Sequence, residues 1–394
     1  MDLPTLGALL GDEGAALLDE ACLGYGREDT LALSARLRRR HPPALVAAAL
    51  TQARLRARAT DKLHPADAVR MLFTDEGLQQ ATRQPVAEHR ATRLAAALGP
   101  GSRVLDLGCG IGADLVALAR TGLDVTGVER DPLTAAVARH NVAALRLAGH
   151  ARVLEGDLTE ADRSHADGVY CDPARRSAGR RRFDPRGWSP PWPFVEELLA
   201  GPGTAVVKVA PGIPHDLVPP GAEAEWVSER GDLVEATLWS ASQATARRRA
   251  TLLPGGATLT SADDPGPPEG VGVSDVLYEP DDAVVRAGLV TAVAGLVGGW
   301  LPDPRIAYVT APPHVRTPFA RAFAVLEHLP CNVGRLRAWV RAHDVGVLTV
   351  KKRGVGVEPE ALRRALRPRG TAEATLVVTR VGGRATVLAV DPLS

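Results

Sequence analysis

The residues best suited to chemistry stand at three successive transitions from apolar, strand-like runs into loops. The segment VLDLGCGIGAD, Val104 to Asp114, passes into a helical run through Gly108, Gly110 and Gly112, glycines that let a backbone approach a bound nucleotide closely. These glycines also satisfy the dinucleotide fingerprint GxGxxA, with Ala113 in the last place, so they do not choose a ligand alone. Asp106 does: two residues before the first glycine, its carboxylate can accept hydrogen bonds from a cationic group where dinucleotide enzymes keep an apolar side chain. Glu129 closes the next strand, 23 positions on, where two carboxylate oxygens can hold both hydroxyls of a ribose. Asp157 closes the third, where it can accept from an adenine amino group. Three acids ending three consecutive strands define one crevice at the carboxyl edge of a parallel sheet.

A second group gathers at the fourth strand, which ends in YCDPARR, Tyr170 to Arg176. Asp172, with Pro173 behind it, can accept a proton or a hydrogen bond from a nucleophile, and the two form the candidate catalytic site. Arg175 and Arg176 open RRSAGRRRF, which holds five arginines in nine residues. Such a run can grip substrate phosphate, or it can be a solvated loop whose arginines pair with Asp172 or Asp184. Lys208, in VVKVAPG on the fifth strand, can face the same pocket and contact substrate, with His215 close behind. Cys171 is the thiol nearest this strand end, but adjacent strand residues face opposite ways, and its apolar surroundings suit an inert side chain better than a nucleophile. Tyr170, Trp188 and Trp192 can stack on a substrate ring, although tryptophans in WSPPWPF suit local packing with proline.

The elements that must position these groups read as a Rossmann-like α/β domain. From residue 99 to 261, strands VLDL, DVTGVE, ARVLEGD, GVYCDP and TAVVKVAP alternate with helices, the order of a doubly wound parallel sheet. AEAEWVSE and LVEATLW, separated by Arg230-Gly231-Asp232, predict an antiparallel hairpin that ends the sheet, and a further short hairpin follows. Before this domain, residues 1–98 show helical spacing, including a run over Thr60 to Phe73. After it, ADDPGPPEG is a linker, and residues 271–394 form a small α+β domain that begins with one helix, DDAVVRAGLVTAVAGL.

Composition narrows the setting. The 47 basic and 46 acidic residues leave a net charge of +1, which excludes a polycationic chain but not local patches. Arg36, Arg38, Arg39 and Arg40 make one such cluster, which reads more readily as a solvated helix end than as a binding patch. Cys22, Cys109, Cys171 and Cys331 are dispersed, with neither metal-ligand spacing nor a disulfide framework, which fits a reducing compartment. The acidic start lacks the pattern of a secretory leader, and the most apolar run, Ala287 to Leu301, falls short of the roughly 20 residues a membrane span needs. A cytoplasmic protein without metal or membrane partners is expected.

Asp106 to Gly112, Glu129, Asp157 and Asp172 resemble the ordered motifs of class I S-adenosylmethionine-dependent methyltransferases, over roughly residues 82–240. GLQQAT at Gly77 to Thr82, DPARR, KVAPGIPH and LTVKKRG are similar to segments of bacterial methyltransferases with a C-terminal THUMP-like domain. The resemblance implies S-adenosylmethionine as cofactor, with Asp106 at its methionine part. It also implies that Gly77 to Thr82 folds over that part, with Gln80 and Thr82 as contacts, although both also suit simple helix capping. Asp172 matches part of the (D/N)PP(Y/F/W) strand end of enzymes that methylate nucleobase nitrogens, but Ala174 and Arg175 replace the second proline and the aromatic. The THUMP-like likeness implies RNA, and Val350 to Gly354 with nearby arginines gives that domain local basic character. Three functions stay open: an RNA methyltransferase, a small-molecule methyltransferase, and a non-catalytic RNA-binding protein that retains the cofactor fold. The intact acids argue against the third.

Overall fold

The computed structural model describes residues 1–175 and 188–393, with Ala174 and Arg175 described by their backbone alone. The chain divides into two compact units, Met1–Ala222 with Thr237–Ala244, and Glu223–Ala236 with Thr245–Ser394.

The first unit opens with seven helices: α1 (Leu3–Leu10), α2 (Asp12–Gly24), α3 (Thr30–Leu37), α4 (Pro43–Ala59), α5 (Pro65–Ala68), α6 (Asp75–Gln80) and α7 (Gln84–Leu98). Their ends follow local chemistry. Asp2 and Asp29 cap α1 and α3 by accepting from backbone N–H groups of the first turn, and Gly99, at φ 87°, ends α7. The continuous helical run expected over Thr60 to Phe73 is only the single turn of α5, because buried amides capture the backbone that follows it. Gln52 donates to the Phe73 carbonyl at 2.7 Å and accepts from its N–H at 2.9 Å. Asn141 does the same for Leu72, at 3.0 and 2.8 Å. Side-chain amides thus replace the helical hydrogen bonds, a tertiary effect that local spacing does not contain.

The sheet of this unit is built from β1 (Arg103–Leu107), β2 (Asp124–Glu129), β3 (Ala151–Glu155) and β4 (Gly168–Cys171), with a small ribbon of β5 (Ala174–Arg175) and β6 (Trp188–Ser189), and then β7 (Thr204–Val209). Helices α8 (Ala113–Arg120), α9 (Pro132–Ala144) and α10 (Trp192–Ala200) connect them. The order β3-β2-β1-β4-β7 is parallel throughout. Strand order reverses between β1 and β4, which places a ligand crevice outside their carboxyl ends. The N-terminal helices bury Leu33, Leu37 and Leu55 in one apolar cluster with Val116 and Val137 of α8 and α9. Each such leucine contributes about 1.5–3 kcal/mol, which fastens the helical segment to the helix layer over the sheet.

The second unit contains β8 (Glu223–Glu229) and most of β9 (Asp232–Trp239), joined by Arg230 and Gly231, both left-handed at φ 53° and 85°. Two positive φ values in a two-residue loop match the twist of a tight hairpin, as the sequence predicts. Strand β10 (Arg248–Leu253) pairs in parallel with β8 and antiparallel with β11 (Ala257–Thr260). Beyond the linker, β12 (Val276–Pro280), α11 (Asp282–Ala287), α12 (Val290–Val297), β13 (Val309–Ala311), β14 (Ala320–Pro330), α13 (Val333–Ala342), β15 (Val345–Lys352), α14 (Pro359–Leu366), β16 (Ala372–Val381) and β17 (Arg384–Leu393) follow. Six of these strands form a sheet in the order β13-β12-β14-β17-β16-β15. The single helix expected from DDAVVRAGLVTAVAGL is two, because Gly288 adopts the left-handed conformation at φ 67° and caps α11.

Candidate functional site

The crevice begins where β1 runs into the glycine loop. Gly108, Gly110 and Gly112 all lie in the left-handed region, at φ 85°, 54° and 88°. A Cβ at Gly108 would stand 3.1 Å from the Asp172 carbonyl, so the loop after β1 passes the tip of β4 at a distance that glycine alone permits easily. Glu129 braces this loop. One of its oxygens accepts from the Gly110 N–H at 3.1 Å, the other from the Asp131 N–H at 2.8 Å. Asp157 accepts from the Thr159 N–H at 2.9 Å and its hydroxyl at 2.6 Å. Each Glu129 oxygen, accepting one such bond, still has acceptor capacity for a ligand hydroxyl.

Asp106 is wholly buried, and among the described residues neither of its oxygens has a hydrogen-bond partner. Burial, then the neighbouring carboxylates Asp114 and Asp172, hold its carboxyl well above the usual carboxylate range, against the opposing pull of Arg90 and Lys208. An orphaned carboxyl in such a place is costly unless something cationic completes it.

Around it runs a chain of five side chains. Arg90 donates to Asp114 at 2.5 Å; Thr82 donates to the other Asp114 oxygen at 2.8 Å. The Lys208 ammonium donates to the Thr82 hydroxyl at 2.9 Å and to Asp172 at 2.7 Å. The Thr82 hydroxyl is therefore the junction: it receives from Lys208 and gives its one proton to Asp114. Burial pushes the Asp114 carboxyl up, but the Arg90 guanidinium and the Lys208 ammonium outweigh it and hold that group below its ordinary value. The Arg90 guanidinium also lies over the Tyr170 ring, 4.7 Å from its centroid.

Four residues that the sequence singles out in separate segments, Asp106, Thr82, Asp172 and Lys208, thus come together in the fold. Two further members of the site, Arg90 and Asp114, were missed by sequence reasoning. A signal for Arg90 existed: it sits on the buried stripe of α7 with Val86, Ala87, Ala91 and Leu94, where an arginine must have a partner. Gln80 is not in this chain of contacts. It is exposed and its amide donates to Glu76 at 3.1 Å. The helix that carries it is nonetheless held over the glycine loop. A Cβ on Gly77 would collide with the Ile111 side chain, and the Lys62 ammonium donates to the carbonyls of Leu78, Gln79 and Ala81 at 3.0, 2.6 and 3.0 Å.

Asp172, Pro173, Trp188 and Lys208 line a small cavity at the tip of β4. Trp188 and Trp192 are both buried and pack edge to face, their ring centroids 5.4 Å apart. His215 is exposed. Cys171 and Cys109 are buried, and burial, followed by nearby carboxylates, pushes both thiols well up. The substrate-contact candidates Arg175, by its side chain, and Arg176, with the rest of the arginine run and Asp184, lie outside the described residues. Among the described residues no cluster of His, Cys, Asp or Glu is placed to hold a metal, and no helix is long and apolar enough to cross a membrane.

Residues 104–175 match the methyltransferase domain family, residues 320–392 the THUMP domain-like family, and residues 2–59 a domain family of unknown function. Two proteins of Mycobacterium tuberculosis, described as uncharacterized S-adenosylmethionine-dependent methyltransferases, are 42% identical over 323 residues, covering 79% of this chain and 85% of theirs. A 23S rRNA (uracil-C5)-methyltransferase of Acidithiobacillus ferrooxidans is 41% identical over 85 residues, 20% of this chain and 19% of its own. The fold is shared with a methyltransferase crystal structure from Porphyromonas gingivalis, at a TM-score of 0.79 and 23% identity over 96% of this chain and 98% of that one.

Proposed function

The chain belongs to the S-adenosylmethionine-dependent methyltransferases, and from that premise we propose that it methylates RNA, at a nitrogen or oxygen atom held by Asp172. The buried residues fit the cofactor. Asp106, whose two oxygens accept no hydrogen bond among the described residues, suits the ammonium of the methionine moiety. We assign Glu129 to the ribose hydroxyls, Asp157 to the adenine amino group, and Gly108, Gly110 and Gly112 to the close backbone approach. When bound, S-adenosylmethionine supplies a methyl group on a sulfonium, open to attack by a lone pair.

The remaining work falls to the chain. One Asp172 oxygen accepts from Lys208, and the other is left to take the hydrogen bond of the acceptor N–H or O–H, orienting its lone pair and receiving its proton. Pro173 fixes the backbone after Asp172, and Lys208 keeps the carboxylate from turning away. Methylation at a pyrimidine carbon, the chemistry named for the Acidithiobacillus protein, is disfavoured, because it needs a thiolate and both cysteines near the site are buried thiols with raised pKa.

The observation that carries the RNA reading is the match of residues 320–392 to the THUMP domain-like family; the arginine run that follows Asp172 supports it. We place the reaction in the cytoplasm, where free thiols such as the exposed Cys331 stay reduced. The test is transfer of radiolabelled methyl from S-adenosylmethionine into RNA, protein and metabolite fractions of a strain lacking the enzyme. Label in RNA is expected, and label confined to metabolites would replace this reading with a small-molecule methyltransferase.

A further inference from the structure

Sequence reasoning places the basic character of the second unit on Val350 to Gly354 with nearby arginines, but Lys351, Lys352 and Arg353 at its centre each meet an acid. Lys351 donates to Glu279 at 2.5 Å and Lys352 to Glu358 at 2.6 Å, and Arg353 lies 3.7 Å from Asp282. Their charges are compensated where they stand. Arg316 and Arg321 differ: both are exposed and form no ion pair among the described residues.

Both stand on one cavity of about 640 Å³, within the size range of small-ligand sites. Its lining includes apolar residues of two neighbouring strands, Tyr278 of β12 with Ala322 opposite it on β14, and Phe323 next to Ala322. The Tyr278 hydroxyl accepts from the Val315 N–H at 2.7 Å and lies 3.2 Å from the Val315 carbonyl, which pins the loop before β14 over the sheet. That anchoring holds exposed His314 beside the Tyr278 ring, 6.4 Å between centroids, and sets Arg316 on the same rim. Lys351 closes the inner side over Phe323, at 5.3 Å. Among the described residues no carboxylate lines this cavity, in a chain that has 46 acids against 47 bases. The adjoining cavity shares Arg321 and Lys351 but is lined by Glu279, Asp281 and Asp282. An anion is therefore favoured in the first and opposed in the second, which limits the ligand to about one phosphate with an apolar, ring-sized body beside it.

We propose that this cavity binds one unstacked nucleotide of a single-stranded RNA segment, its phosphate on Arg316 and Arg321 and its base against His314 and the apolar lining. The proposal rests on the reading of RNA as substrate and gives the second unit a defined contact with it.

The test uses the full chain and fluorescence anisotropy with a labelled single-stranded RNA octamer at low salt, with adenosine monophosphate and inorganic phosphate as competitors. Three variants are compared: the pair Arg316→Glu with Arg321→Glu, the neutral filling Thr375→Trp on the cavity wall, and Arg384→Glu as a charge control at the other end of β17 from the cavity-lining Leu393. Expected are losses of about tenfold or more for the arginine pair and for Thr375→Trp, with about threefold or less for the control and unchanged S-adenosylmethionine affinity in all three. If the octamer binds wild type and the first two variants alike, the cavity assignment is overturned and the RNA reading stands. Absence of octamer binding to wild type even at low salt overturns both. Competition by adenosine monophosphate at the octamer's own affinity would make the ligand a free nucleotide, and by phosphate alone an inorganic anion, each overturning the RNA-segment assignment. Should Thr375→Trp fail to fold, the arginine pair against the control decides.

Discussion

Lys208 of β7 donates to Asp172 at the tip of β4 across 2.7 Å, and the same ammonium donates to Thr82 at 2.9 Å. The Asp172 carboxylate is thereby tied, through Lys208 and the Thr82 hydroxyl, to the buried Arg90–Asp114 pair. Asp172→Ala is expected to keep the fold and most of the cofactor affinity while lowering turnover roughly 100-fold or more. Calorimetry with S-adenosylmethionine beside a methyl-transfer assay separates the two effects, and full activity in the variant would move the chemistry elsewhere.

Thr82→Val removes the junction without a large change in shape. It leaves a Lys208 proton and an Asp114 oxygen unsatisfied in a buried place, each at a cost of about 1–3 kcal/mol. Turnover is expected to fall about tenfold or more, with Thr82→Ser close to wild type. An active valine variant beside an impaired serine one would show that the methyl group and not the hydroxyl matters.

Arg90 and Asp114 are both almost wholly buried. Replacing Arg90 by Met strands the Asp114 charge and is expected to destabilise the protein by about 3–5 kcal/mol in urea unfolding, with part recovered by adding Asp114→Asn. An Arg90→Met protein as stable as wild type would mean that Lys208 alone suffices to hold the Asp114 charge.

The raised pKa of Asp106 has a definite sign. A carboxyl raised in the folded, ligand-free protein binds more protons folded than unfolded. Its contribution to stability is present below the unfolded pKa and is lost as pH rises through the folded pKa. Asp106→Asn, free of that loss, is expected to be more stable than wild type at neutral pH without ligand, the gap closing toward acid. A cationic cofactor reverses the preference, so its binding expels the proton. Titration calorimetry in buffers of different ionisation enthalpy is expected to show proton release on S-adenosylmethionine binding by wild type and none by Asp106→Asn. Equal proton uptake or release in both would falsify this role.

Loss of a charged acceptor from the cofactor site costs about 1.5–3 kcal/mol, roughly 10- to 150-fold in affinity. Asp106→Ala and Glu129→Ala are both expected to weaken S-adenosylmethionine binding in that range. Glu129→Ala also frees the Gly110 N–H, so it is expected to loosen the glycine loop, read as faster amide exchange at residues 108–112.

The local order of the chain was legible in the sequence because strand alternation, glycines and strand-end acids are properties of neighbouring residues. The glycine loop, the strand-end positions of Asp106, Glu129 and Asp172, and the β8–β9 hairpin at Arg230-Gly231 follow from such short-range patterns. What depended on distant partners was not. The Arg90–Asp114 pair joins residues 24 apart, and Lys208 reaches Thr82 across 126 positions. Capture of Leu72 by Asn141, 69 residues on, unwinds a segment with helical spacing. Lys351 reads as a free cation beside Lys352 and Arg353 until folding sets it against Glu279, 72 residues earlier. Composition and spacing fix which groups a chain carries; only packing decides which charges are cancelled, which stay open, and so which of them a ligand can meet.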